Sequence, residues 1–376
     1  MARTSTNPAG TVVYVPLAAL HPQGHERATL AHIGQRVAGL LGLDYGGPHD
    51  PARRYAGACY PIPSDTLSAE KAAELSIRGP ADFLGGVVPH PFVGTKTITH
   101  PLIDGAAAGP QGWSPCFADD VQGIVLPGYS AFNAADARRA GLALLADGPV
   151  RIKRARGIGG KGQTVATAPA ELEAAVTALD AAELARDGVV IERNLRDVTT
   201  YSVGRVEIGE MVATYAGTQQ GTPNGRGDVV YGGSDLFVVR GEFDALLDLD
   251  LGPDERLAVV QAWQYDAAAL RQFPGLIASR RNYDVAVGYD GNVRCSGVLE
   301  QSWRVGGATP AEIAALEAFA ADPSLACVRA SSREVYGPCE PPPGALVYFR
   351  GEDPKVGLLT KYTVVSAHPA SRRQVA

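Results

Sequence analysis

The chain has 376 residues, of which 45% are hydrophobic and 20% charged, and it carries a formal net charge of -6 at pH 7. That length is two to three times the usual domain of about 150 residues, and the balance excludes wholesale disorder. The acidic excess argues against a nucleic-acid partner, and no run approaches the ~20 apolar residues that would span a bilayer.

Residues 11–16 (TVVYVP) are a β-branched run and predict a buried strand. Leu30, Ile33, Val37, Leu40 and Leu41 follow at helical spacing, which predicts a helix over 25–41 with Gly42 as its stop. A strand followed by a helix points to an α/β layer. Residues 45–65, rich in Gly, Pro and Asp, read as loop. A helix is expected over 68–78, and 85–110 is irregular. Residues 121–128 (VQGIVLPG) predict a strand ending in a turn, and Asn133 predicts the cap of a helix over 134–145. Next come a strand over 150–153, the glycine loop RGIGGKG at 156–162, and a strand over 163–167. One helix is expected from Pro169 to residue 184, then a strand over 188–195. Further strands are expected over 201–209, 211–219 and 229–239, then a helix over 253–273. Residues 282–303 read as a hairpin turned at Asp290 and Gly291. A helix over 310–321 follows, and the tail beyond 338 is turn-rich with one short strand.

The five cysteines are odd in number, far apart and contain no CxxC pair. Zinc-site spacing and a disulfide framework are therefore not expected, and the thiols read as incidental. No basic segment precedes an apolar core near the N-terminus, so a reduced, cytoplasmic protein is expected.

Gly157, Gly159 and Gly162 satisfy G-x-G-x-x-G. A dinucleotide site would need a helix to begin at the loop, whereas 163–167 has a strand pattern. A P-loop would need a lysine where Gln163 stands. What remains is a glycine hairpin, either an ordinary mobile one or one whose N–H groups meet a triphosphate. The chain has only six lysines, and two of them, Lys153 and Lys161, lie in this hairpin. An ammonium on a flexible stem suits a phosphate.

Downstream, Asp284 and Glu300 sit on the two strands of one predicted hairpin, with Ser302 and Arg304 on the alternating face of Glu300. Two carboxylates and a hydroxyl are hard ligands of the kind Mg2+ takes. A guanidinium at Arg304 would hold a phosphoryl group or a substrate carboxylate. A solvated strand face is the bland alternative, opposed by apolar Val298, Leu299 and Trp303. Arg280 and Arg281 either hold an anionic substrate or end a solvated strand. Lys96 and His100, in one polar tract with His90, lie either on a surface loop or at the cleft. Residues 218–235 are a candidate substrate loop. Neither a G-x-S-x-G elbow nor an H-E-x-x-H helix occurs.

Strand with Lys153, glycine hairpin, helix, strand with Glu192, then Asp284 and Glu300 in a later hairpin: this order over about residues 120–310 resembles the ATP-grasp superfamily. The resemblance implies an α/β protein with α+β lobes. An N-terminal α/β domain (1–118) would precede a nucleotide-binding lobe (119–200), a C-terminal lobe (201–335) and a tail (336–376). It implies ATP and Mg2+ as cofactors. Lys153 and Lys161, with the loop of Gly157, Gly159, Gly160 and Gly162, would meet phosphates. Glu192 and the backbone near Leu195 would meet adenine, and Asp284, Glu300 and Ser302 would hold Mg2+. Arg304 and Lys153 would act at the transferred phosphoryl. The sequence departs from the superfamily pattern in two respects: Ser302 stands where Asn is usual, and Thr199 and Thr200 where a ribose-binding acid is often found. The implied activity is a carboxylate–amine (or thiol) ligase working through an acyl phosphate; a small-molecule kinase and a nucleotide sensor without turnover are the alternatives. The implied partners are small-molecule carboxylates and amines, with no nucleic acid or membrane and with a homo-oligomer open. The segments HPFVGTKTITHPL, NYDVAVGYDG and GVLEQSWRVGGA also make the whole chain similar to a bacterial family known only as a domain of unknown function.

Overall fold

The computed structural model describes residues 10–18, 20–107, 109–157 and 162–367. Strand Gly10–Val15 is buried along its whole length and lies parallel to Asp44–Pro48 on one side and Ala58–Pro63 on the other. Helix His25–Leu41 buries Leu30, Ile33 and Val37, and it ends at Gly42, whose φ of 66° favours glycine. Residues 45–65, expected as loop, thus supply two flanking strands. Their Gly and Pro residues hide the signal, because both strands are sheet edges, where proline is tolerated.

A second, antiparallel sheet has the order Gly128–Ala131, Val189–Arg193, Val150–Arg154, Gln163–Ala166. Helices Ala134–Leu145, Pro169–Thr177 and Ala181–Asp187 bury Ala137, Leu144, Leu172, Val176 and Leu184 with it. Asn133 caps the first of these, accepting from the Asp136 N–H at 2.8 Å. The single helix expected to residue 184 is two, because Asp180 accepts from the Glu183 N–H at 2.8 Å and starts a new one. The strand expected over 121–128 is instead the end of helix Pro115–Val121, a 3-10 turn and a loop. A short apolar run does not by itself distinguish strand from helix end.

The largest sheet has eight strands, all antiparallel: Val293–Ser302, Arg280–Asp290, Arg196–Ile208, Met211–Pro223, Val229–Arg240, Cys327–Tyr336, Gly357–Ala367, Leu346–Asp353. Helix Pro253–Gln272 covers one face through Ala258, Ala262 and Tyr265, which cluster with Val203, Tyr283 and Val285. Helices His25–Leu41 and Thr309–Ala321 cover the other, where Ile33 and Leu316 cluster with Val206, Tyr215 and Val238. The tail contributes two long strands at the sheet edge rather than one short one, and Asp353 accepts from the His25 N–H at 2.8 Å. A three-stranded sheet of Leu67–Ser68, Gly86–Val88 and Ile277–Ala278 stitches the N-terminal part to the large lobe. All five cysteines are free, and no described helix is long and apolar enough to cross a membrane.

Candidate active site

On the four-stranded sheet, Lys153 pairs with Val190, two residues from Glu192 and therefore on its face. The Lys153 Nζ lies 2.5 Å from Glu192 Oε1, and His100 Nε2 lies 3.1 Å from Oε2. All three side chains are buried, and His100 Nδ1 has no hydrogen-bond partner among the described residues. Burial works to raise the Glu192 carboxyl, but the Lys153 charge and the His100 hydrogen bond outweigh it and hold the group below its ordinary value. Leu195, just after this strand, is buried against Leu126 and Ala286.

The glycine hairpin follows Lys153. Arg154 N–H donates to the Gly162 carbonyl at 3.1 Å, and Gly162 has a φ of 73°, where a Cβ would be strained. Gly159, Gly160 and Lys161 lie outside the described residues.

In the carboxylate hairpin the register sets Asp284 directly opposite Glu300, nearer than the sequence reading placed them. The register shifts immediately after this pair, leaving Leu299 as an extra residue. Asn282 Nδ2 donates to Asp284 Oδ1 at 2.9 Å, and Tyr215 OH orients Asn282 at 3.0 Å. Burial, then the Glu300 charge, push Asp284 up to about 6 against the Gln219 and Asn282 amides and the Lys96 charge. Ser302 lies opposite Asn282 and ends the strand, so the expected 300, 302, 304 alternation stops there. Arg304 donates to the Val305 carbonyl at 2.9 Å, with its Nε 3.9 Å from Asp65. Asp65 also lies 3.8 Å from Arg156 of the glycine hairpin.

The 96–100 tract joins these two halves. Lys96 forms an ion pair with Glu300 and donates to the Gly157 carbonyl at 2.9 Å, while His100 reaches Glu192. Gln301, facing away from Glu300, holds the tract by donating to the carbonyls of Val93 at 3.0 Å and Thr95 at 2.7 Å. Lys96, Thr97, Thr99 and His100 are all buried, so this is no surface loop. His90 is only half-buried and stacks on Phe92.

Other candidates lie elsewhere. Arg280, offered to an anionic substrate, is instead buried against Glu312, with contacts of 2.7 and 3.0 Å, and donates to the Ser302 and Arg304 carbonyls. Arg281 points to the opposite sheet face and pairs with Asp266. Residues 218–235 are mostly strand rather than loop. Thr199 and Thr200 pair with Val287 and Ala286. Sequence reasoning passed over Asn282, Gln301, Asp65 and Ser202, whose hydroxyl donates to Asp284 Oδ1 at 3.5 Å. Asn282 alone carried a signal, being two residues before Asp284 on the same face.

The donor set fits a magnesium ion. Among the described residues no three His, Cys, Asp or Glu side chains gather as a metal cluster. Mg2+ needs fewer: one or two carboxylates, with nucleotide oxygens and water completing its shell. Asp284 is raised partly because Glu300 faces it, which is the repulsion a divalent cation would relieve. In the metal-free protein, a folded value of about 6 against the ordinary 3.8 means that the folded state holds the proton more tightly. This contribution to stability is present at low pH and is lost as pH rises through about 6. Asp284→Asn is therefore expected to raise the melting temperature without metal at pH 7.5, with the gain shrinking toward pH 4. An unchanged or lower melting temperature at pH 7.5 would contradict this.

The profile of a family described as "Protein of unknown function (DUF3182)" matches residues 13–363. The chain belongs to that family. No curated protein matches the sequence. Among solved structures, the phosphoribosylamine–glycine ligase of Thermotoga maritima superposes with a TM-score of 0.52 at 14% identity, covering 96% of this chain and 93% of that one. The biotin carboxylase of Campylobacter jejuni, solved as a β-γ-ATP complex, gives 0.50 at 13%, covering 96% and 88%. These neighbours are ATP-grasp proteins, and the DUF3182 chain has the ATP-grasp fold.

Proposed function

We propose that this protein is an ATP- and Mg2+-dependent ligase that activates a substrate carboxylate as an acyl phosphate for attack by an amine or thiol. One observation carries the reading: the 96–100 tract touches the Lys153–Glu192 pair through His100, and the glycine hairpin and Glu300 through Lys96. The tract thereby links the Lys153–Glu192 pair and glycine hairpin of one sheet to the carboxylate pair of the other. Lys153 and Lys96 neutralise phosphate charge, and the hairpin backbone offers N–H groups. The segment after Glu192, with buried Leu195, supplies an apolar wall for adenine. Asp284, Glu300 and the Ser302 hydroxyl would hold Mg2+, whose charge would offset that of the phosphates. Arg304, near Asp65, stabilises the charge of the transferred phosphoryl. Positioning and charge neutralisation suffice for this step, so no protein nucleophile is required.

The test is phosphate release from Mg-ATP with a panel of carboxylates and amino acids. Release that depends on both a carboxylate and an amine is expected, and its absence across the panel, with ATP still bound, would favour the sensor reading. Lys153→Ala is expected to lower release by at least about 100-fold. Wild-type rates in that variant would remove Lys153 from the site.

A further inference from the structure

The largest sheet carries a second feature on the face away from Asp284. A cavity of about 280 Å3 opens among Arg78, Arg205, Arg281, Leu270, Leu276 and Ile277. Arg205 and Arg281 are direct partners on neighbouring strands. Side chains alternate along a strand, so both point away from the face of Asn282 and Asp284. Like charges set opposite one another in a sheet are unfavourable, and Arg78 brings a third guanidinium to the same hollow.

The three are not equally satisfied. Arg205 is fully engaged: two of its nitrogens donate to Glu242, both at 2.7 Å, and the third to Glu207 at 2.8 Å. Arg281 is not. Its Nε lies 3.1 Å from Asp266 without hydrogen-bond geometry, and its terminal nitrogens donate to nothing among the described residues. Asp266 already accepts the Tyr283 hydroxyl at 2.5 Å. Arg78 is exposed at the mouth of the hollow, and its guanidinium has no protein acceptor among the described residues. Two planar forks therefore share one hollow with Glu207, whose carboxylate is taken up by Arg205, and with an apolar stretch of wall formed by Leu270, Leu276 and Ile277. Such a fork matches a carboxylate or phosphate edge. The volume approaches the lower end, about 300 Å3, of small-molecule sites.

We propose that this hollow is a second ligand site that takes a small organic anion, its charged head between Arg78 and Arg281 and its apolar body on Leu270, Leu276 and Ile277. The site stands apart from the Asp284 cleft and does not depend on the ligase reading.

Calorimetry on the full chain, with phenyl phosphate and inorganic phosphate as probes, tests it. Phenyl phosphate should bind once per chain and at least about 10-fold more tightly than inorganic phosphate, because only the former uses the aliphatic wall. Binding should persist in Asp284→Asn and under saturating Mg-ATP. Arg78→Ala should weaken it at least about 10-fold, the loss of one hydrogen bond to a charged group. Leu270→Trp, on the exposed side of its helix, fills the hollow without altering charge and should abolish binding; thermal melts verify that both variants fold. No binding of phenyl phosphate to the wild type, undiminished binding in Arg78→Ala and Leu270→Trp, or displacement by Mg-ATP would overturn the proposal.

Discussion

Glu300→Gln is expected to reduce Mg-ATP turnover by at least about 100-fold while leaving the fold intact. Two functions meet on this carboxylate. Its charge makes up half of the pair that would hold Mg2+, and its Oε2 is the ion-pair partner of Lys96, which is buried. Glutamine keeps an oxygen for the Lys96 ammonium and so spares the protein an unpaired buried cation. It removes only the negative charge. Glu300→Ala removes both, and is expected to abolish turnover and to melt earlier as well. Both variants should also lower Asp284 from about 6, because its like-charged neighbour is gone. Turnover is read by phosphate release across a Mg2+ titration, and the fold by thermal melting. Wild-type turnover in Glu300→Gln at ordinary Mg2+ would take Glu300 out of the metal site.

The parts of this site legible in the sequence were those set by short-range pattern. Lys153 stood out because lysine is rare in this chain and because a glycine hairpin follows it. Asp284 and Glu300 stood out because a turn signal between alternating strands brings them near each other. Their register did not stand out: one extra residue, Leu299, decides which side chain meets which, and local propensity does not report it. The 96–100 tract was ambiguous for a different reason. Its backbone runs through 3-10 turns, which leave no periodicity to read. Its burial comes from contacts distant in sequence: Gln301 to the Val93 and Thr95 carbonyls, and Tyr265 OH to Thr99 at 3.0 Å. The strands within 45–65 were missed because proline and glycine mark turns on average and sheet edges only in context.

Arg280 shows the same limit, and its substitution is expected to give the largest loss of stability. Its side chain is 2% exposed and that of Glu312 is 0%. One edge of the guanidinium fork is closed by the Glu312 carboxylate, at 2.7 and 3.0 Å. The other edge holds the carbonyls of Ser302 and Arg304, two and four residues after Glu300. Arg280 thus ties helix Thr309–Ala321 to the end of the carboxylate strand. Removing one partner of such a pair leaves an uncompensated buried charge, which typically costs about 3–5 kcal/mol. Arg280→Met should therefore destabilise the protein by about that amount in urea or thermal unfolding. A substrate-binding arginine would give a different signature, a raised KM with near-normal stability. The double variant Arg280→Met, Glu312→Leu separates the two effects. Replacing a buried pair by apolar groups of similar volume is often close to neutral, so much of the stability should return. Turnover should stay low, because the guanidinium no longer holds the carbonyls at 302 and 304 and the Arg304 side chain loses that support. Wild-type stability in Arg280→Met, or full turnover in the double variant, would mean that Arg280 does not brace this strand end.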